Sequence, residues 1–177
     1  MTVPETIEGL FRSRLAVTVP DAIAPPAAAE LRARLEQRGY ERYALLDRGS
    51  YDHVPVVREP ALADALARIA SELTSRTLQV SAVRALRLGP GDYVLAHHDA
   101  LHADHPVELT LDLSTAIVPG AEVHYRRRGG VYFCAPSAPG ALAVVERGPT
   151  VACNHTYVSK LHATASVVRL VLLLRDR

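Results

Sequence analysis

The segment Tyr93-Val94-Leu95-Ala96-His97-His98-Asp99 sets an imidazole and a carboxylate two residues apart. In an extended strand side chains alternate, so His97 and Asp99 share one face and His98 takes the other. On that face the two groups can hold adjacent corners of one divalent metal ion, the carboxylate offsetting part of its charge. A third ligand must come from elsewhere. The best placed is His155, in Cys153-Asn154-His155-Thr156-Tyr157, 56 residues beyond Asp99. Arg169 follows 14 residues later, inside the apolar run Val167-Val168-Arg169-Leu170-Val171. A guanidinium buried there without a partner would cost several kcal/mol. A carboxylate-bearing ligand would be such a partner, since Arg meets a carboxylate through two parallel hydrogen bonds.

These residues need rigid elements to position them, and the chain changes character near residue 78. Before it, Pro25 and Pro26 introduce a helix over 27–38, with Leu31 and Leu35 one turn apart and Gly39 as its stop. Pro60 opens a second helix in which Leu62, Leu66, Ile69 and Leu73 form one apolar stripe. Extended pieces cover 15–19 and 40–46. After residue 78 come eight short β-type runs, over 78–88, 93–96, 107–113, 121–125, 131–134, 141–145, 151–158 and 166–174. Pro and Gly pairs punctuate them, among them Pro119-Gly120, Gly129-Gly130 and Pro139-Gly140. The pattern predicts a sandwich, jelly roll or barrel with helices on one outer face.

Composition sets the bounds. The chain has 177 residues, 49% hydrophobic and 22% charged, enough for one domain with a core of its own. A net charge of +1 and 5% aromatic residues argue against a nucleic-acid partner. Glu5, Glu8, Arg12 and Arg14 interrupt the N-terminal stretch, so no signal peptide or anchor is expected. The apolar run 167–174 is too short to span a membrane and reads as a buried strand. A cytoplasmic location is the expectation. Cys134 and Cys153 lack a CxxC spacing and read as small apolar residues on strands, with no chemistry assigned. Lys160 is the only lysine, beside 19 arginines, which reads as genomic base composition.

Four pieces in order give the chain a resemblance to the iron(II)- and 2-oxoglutarate-dependent oxygenases, in the compact branch that looks like prolyl 4-hydroxylases. The run from Gly89-Pro90-Gly91 to His97-His98-Asp99 resembles the family's glycine turn leading to HxD. Gly120-Ala121-Glu122-Val123 resembles its Gly-Gly-Glu-Leu turn, with alanine for the second glycine. His155 resembles the distal histidine, and Arg169 the basic residue of the last strand. The resemblance covers about the second half of the chain; the stretch 15–39 is similar only loosely. It implies a mainly β, double-stranded β-helix (jelly-roll, cupin-like) fold with N-terminal helices, and one oxygenase domain over 1–177. Within it, 1–77 would supply the outer layer and 78–177 the core.

The resemblance further implies Fe(II) on His97, Asp99 and His155, with 2-oxoglutarate as co-substrate and dioxygen as oxidant. Arg169 would grip the far carboxylate of 2-oxoglutarate, and a C–H bond would be hydroxylated with release of succinate and carbon dioxide. Asp99 at the carboxylate position favours hydroxylation over halogenation. Relatives often place a tyrosine on the strand before the glycine turn to bond 2-oxoglutarate. Here Arg87 and Leu88 stand near that position, and Arg87 or Tyr93 could serve instead. A free amino acid, a peptidyl residue or a carrier-protein-tethered intermediate are all open as substrate, with an amino-acid or peptide-like molecule preferred.

Rival readings attach to the remaining residues. His162 is an alternative third ligand, but it lies only seven residues before Arg169, too few for a strand, a turn and a return strand. His98, His102, Asp104 and His105 could form a zinc-binding loop or line the substrate entrance, though they lack the Cys/His pairs of a structural zinc site. His53 and His124 read as ordinary. Arg126-Arg127-Arg128 reads as a solvated hairpin tip or a patch for an anionic substrate or carrier. The polar stretch 47–53 reads as a lid or a loop. Two other functional classes share this pattern: a cupin-type metalloenzyme without 2-oxoglutarate, in which Arg169 should pair with an internal acid, and a non-catalytic binding module.

Overall fold

The C-terminal run of the chain is apolar on both faces because both are covered. A computed structural model describes residues 6–55, 57–97, 106–148 and 150–177, with the side chain of His97 outside that description. In it Val167–Asp176 is the last strand, β11, buried as far as Leu174. Val168, Leu170, Leu172 and Leu174 pack against helices, while Val167 and Val171 face a second layer of strands.

In chain order the elements are α1 (Ile7–Arg14), β1 (Ala16–Val19), α2 (Pro25–Arg38), β2 (Glu41–Leu45), β3 (Gly49–Val54), α3 (Pro60–Thr74) and β4 (Leu78–Leu88). They continue with β5 (Tyr93–His97), β6 (Val107–Asp112), β7 (Val123–Arg127), β8 (Gly130–Ala135), β9 (Leu142–Glu146) and β10 (Val151–His155), before β11. The described strands form one antiparallel sheet in the order β1-β9-β6-β11-β4-β3-β5-β10-β7-β8, with β2 on β3. It folds over on itself as a nearly closed jelly roll. The eight β-type runs expected from the sequence are all present as strands.

Leu31 and Leu35 of α2 and Leu66, Ala70 and Leu73 of α3 cover the outer face of β4, β6, β9 and β11, where Leu109, Leu111, Leu142 and Val144 receive them. The inner faces meet in two clusters. One joins Ala143 and Val145 to Val123, Tyr125 and Cys153; the other joins Leu86, Leu88 and Val171 to Val94, Ala121 and Val158. Strand β6 alternates Val107, Leu109 and Leu111 toward the helices with Glu108, Thr110 and Asp112 toward the interior, all buried. The jelly-roll interior is therefore polar along this strand.

Three local features differ from expectation. Helix α2 begins at Pro25, so both prolines lie within its first turn, where a missing N–H has no consequence. Helix α1, which the sequence did not suggest, is a short segment whose N-cap Thr6 accepts a 3.1 Å hydrogen bond from the Gly9 amide. The polar stretch over 47–53 largely becomes β3, which bridges β4 and β5. Gly49 makes that bridge possible. Its φ is +128°, and a Cβ there would lie 2.2 Å from the Tyr93 carbonyl oxygen.

Candidate functional site

The glycine turn ahead of β5 is fixed by one buried carboxylate. Asp92 accepts hydrogen bonds from the Gly89 amide at 2.9 Å, the Ser50 hydroxyl at 2.9 Å and the Arg42 guanidinium at 2.6 Å. Burial acts to raise the Asp92 pKa, but Arg42, the Gly89 amide and Ser50 outweigh it and hold it below the usual value. The backbone of the turn is also stitched to the chain after β10: the Gly91 amide donates to Val158 at 2.8 Å, and the Val158 amide to Asp92 at 2.9 Å. The start of β5 is thus clamped from two sides.

Strand β5 pairs with β10, and the register shifts within the pairing. Cys153 lies opposite His97 while His155 lies opposite Val94, so two steps along β10 match three along β5. The extra residue on β5 interrupts the regular ladder at this point. Val94, not Tyr93, faces His155 and is buried in the interior cluster. Tyr93 is half-buried and borders a cavity of about 420 Å³ with Arg126, Asn154, His155 and Tyr157. Asp99 and the residues of the expected zinc-binding or entrance cluster, His98, His102, Asp104 and His105, lie outside the described residues.

His155 ends β10 with 4% of its surface exposed. Arg169, 1% exposed, approaches it from β11: Nη1 donates to Nδ1 of His155 at 2.9 Å, and Nη2 to the Ala121 carbonyl at 2.7 Å. That carbonyl belongs to the Gly120-Ala121-Glu122 turn, which Thr156 pins in place. The Thr156 hydroxyl donates to the Gly120 carbonyl at 2.6 Å and accepts from the Glu122 amide at 2.7 Å. The second conspicuous motif of the sequence is thus a bracket beside His155 that receives Arg169.

Among the described residues Arg169 makes no ion pair. Asp112 is its direct cross-strand neighbour, but the Asp112 carboxylate accepts from the Ser114 amide at 2.7 Å and the Ala138 amide at 2.9 Å. Burial pushes the Arg169 pKa down, and Asp112, the first of the opposing groups, acts to raise it. A buried cation with an imidazole and a carbonyl as its partners has capacity for an anion.

Arg147 shows the contrasting case. Equally buried, it forms an ion pair with Glu108, whose other oxygen accepts from the Tyr125 hydroxyl at 2.8 Å; Thr110 adds a 3.2 Å contact to that hydroxyl. Burial, reinforced by Glu108, pushes the Tyr125 pKa well above its usual value. The sequence reading missed this network, which only strand pairing assembles.

Arg87 is not brought to this site. It alternates with Leu86 and Leu88, which face the interior, and bonds instead to Asp52 at 2.9 Å and Glu36 at 3.0 Å on the helix side, over the ring of Tyr40. His162 lines a different cavity, of about 510 Å³, with Ile117 and Ser166. No helix among the described residues is long and apolar enough to cross a membrane.

Comparison with solved structures identifies the architecture. The chain is similar to an oxidoreductase of the 2OG-Fe(II) oxygenase family from Burkholderia pseudomallei, with a TM-score of 0.73 and 15% identity over 97% of this chain and 90% of that one. A Pseudomonas putida prolyl-4-hydroxylase matches with a TM-score of 0.71 and 14% identity over 97% of each chain. The 2-oxoglutarate-dependent carbocyclase SnoK from nogalamycin biosynthesis matches with a TM-score of 0.72 and 14% identity over 98% of this chain and 84% of that one. No protein-family model and no curated protein sequence matches the chain. The fold is therefore the double-stranded β-helix of these oxygenases, preserved at a sequence identity that speaks for fold alone.

Proposed function

We propose that residues 1–177 form one iron(II)- and 2-oxoglutarate-dependent oxygenase domain that hydroxylates an unactivated C–H bond of a small amino-acid or peptide-like substrate. The observation that carries this reading is Arg169, a buried guanidinium without a carboxylate partner among the described residues, in contact with the imidazole of His155. In a cupin-type enzyme without 2-oxoglutarate Arg169 should pair with an internal acid, and Asp112, its cross-strand neighbour, bonds backbone amides instead.

The donor set fits the implied groups. His97, Asp99 and His155 would hold iron(II) as two imidazoles and a carboxylate, with positions left open for exchange. Arg169 would hold the far carboxylate of 2-oxoglutarate through the two parallel hydrogen bonds a guanidinium offers. Bound together, iron, 2-oxoglutarate and dioxygen would supply C–H hydroxylation with release of succinate and carbon dioxide. The chain's own part is positioning and exclusion of water. Val94, Ala121, Val158 and Val171 form an apolar surround, and the Thr156 bracket holds the Ala121 carbonyl that steadies Arg169.

The cavity beside His155 carries a cation, an amide and two phenols from Arg126, Asn154, Tyr93 and Tyr157. This mixed polar and aromatic border suits an amino-acid or peptide-like molecule, free or carried on a partner protein, and Tyr93 is the candidate second contact to 2-oxoglutarate. A cytoplasmic location belongs to the same proposal.

An anaerobic titration tests the reading. Addition of Fe(II) and then 2-oxoglutarate should produce the visible charge-transfer band of a chelated keto acid. Intact wild-type protein that never develops the band would overturn it. His155→Ala should lose the band through loss of iron.

A further inference from the structure

Glu122, His124 and Cys134 offer a carboxylate oxygen, an imidazole nitrogen and a sulfur that all lie within 4.8 Å of one another. Strand pairing makes this group. His124 of β7 is directly opposite Cys134 of β8, and Glu122 lies two residues before His124. Both strand residues alternate with Val123, Tyr125 and Ala135, which fill the interior, so the group occupies the outer face. It opens to solvent: the side chains of His124 and Glu122 are 23% and 37% exposed, and Cys134 is an exposed free thiol. His155, by contrast, lies opposite Val123 on the inner face.

We propose that Glu122, His124 and Cys134 bind one borderline-soft divalent transition-metal ion, with zinc the best match. Hard ions such as magnesium and calcium prefer all-oxygen sites, whereas a mixed oxygen, nitrogen and sulfur set suits zinc and its neighbours. Tetrahedral coordination separates donors by about 3.4 Å, and three protein donors leave the fourth position to water. The contact between His124 Nε2 and Glu122 Oε2 is 2.8 Å and needs to open by about half an ångström to reach that separation. Burial, and then the neighbouring Glu122 carboxylate, push the Cys134 thiol up to about 12, so the free site holds a neutral thiol beside a carboxylate. On metal binding the sulfur coordinates as thiolate, its proton leaves to solvent, and a Glu122 carboxylate oxygen completes the three protein donors. No oxidant or reductant is involved, and the proposal does not rest on the oxygenase reading.

Cobalt(II) is the probe, because thiolate ligation gives a sulfur-to-cobalt charge-transfer band that a site of two histidines and an aspartate cannot produce. Chelator-treated protein titrated with Co(II) should develop this band, and in His155→Ala, where the other proposed metal site is disabled, it should saturate at one equivalent. His155→Ala and Cys153→Ala should retain it. Cys134→Ser, which keeps the size and a polar hydroxyl beside Glu122, should abolish it without loss of folded circular dichroism. His124→Ala should weaken the Co(II) affinity read from the band by more than about tenfold. A wild-type protein without the band would overturn the site. So would a band that survives Cys134→Ser, disappears in Cys153→Ala, or is indifferent to His124→Ala.

Discussion

Nη1 of Arg169 stands 2.9 Å from Nδ1 of His155. A guanidinium only donates, so Nδ1 is the acceptor and a neutral imidazole carries its hydrogen on Nε2. For Nε2 to hold a metal ion that hydrogen must move to Nδ1, and Arg169 must then find another acceptor. In the proposed reaction the far carboxylate of 2-oxoglutarate would be that acceptor, which would couple co-substrate binding to the state of His155 through one hydrogen bond.

Arg169→Met should weaken 2-oxoglutarate binding by roughly 100-fold, the value of two charge-assisted hydrogen bonds, while Fe(II) binding is retained. Its effect on unfolding free energy should stay within about 2 kcal/mol, because removal of a buried charge offsets the lost hydrogen bonds to His155 and the Ala121 carbonyl. Isothermal calorimetry and urea unfolding read the two quantities. Equal loss of iron and 2-oxoglutarate would count against the assigned role.

Arg147 should behave in the opposite sense. Arg147→Met leaves Glu108 as an unpaired buried carboxylate and should cost about 3–5 kcal/mol in urea unfolding. The double variant Arg147→Met/Glu108→Leu should recover most of that loss. A double variant as unstable as the single one would show that packing, rather than charge, sets the cost.

Asp92 links stability to pH. Its pKa in the folded protein is held below the ordinary 3.8, so its contribution is present above that value and is lost as pH falls through the lower folded value. Asp92→Asn should therefore be less stable than wild type at neutral pH, and the gap should close in strong acid. A gap that is constant with pH would show that the carboxylate charge is not involved.

Gly49→Ala should cost about 2–4 kcal/mol, since the new Cβ meets the Tyr93 carbonyl and the positive φ disfavours any side chain. The strain falls on the pairing of β3 with β5. A fall in melting temperature accompanied by weaker iron binding is the expected result; a fall without any change in metal affinity would show that β3 does not position β5.

Local sequence was sufficient for much of the architecture. Pro, Gly and alternating apolar residues marked the eight strands after residue 78, and the stripe of Leu62, Leu66, Ile69 and Leu73 marked α3. Helix α1 was illegible because eight residues with Phe11 as their one buried side chain carry too little periodicity. Strand β3 was illegible because its residues are mostly polar and partly exposed, and because its place depends on Gly49 passing close to Tyr93.

The sequence by itself determined which residues could do chemistry: the His97 and Asp99 pair, His155, and an arginine inside an apolar strand. Residue type and spacing suffice for that, because ligand character and hydrogen-bonding capacity belong to the side chain. Tertiary structure alone decided which groups meet. It turned Arg169 toward His155 and Arg87 toward Asp52 and Glu36, shifted the register between β5 and β10 so that Val94 lies opposite His155, and joined Glu122, His124 and Cys134 across a hairpin. These are properties of register and strand order, and a shift of one residue in a ladder exchanges every side chain between the faces of a sheet.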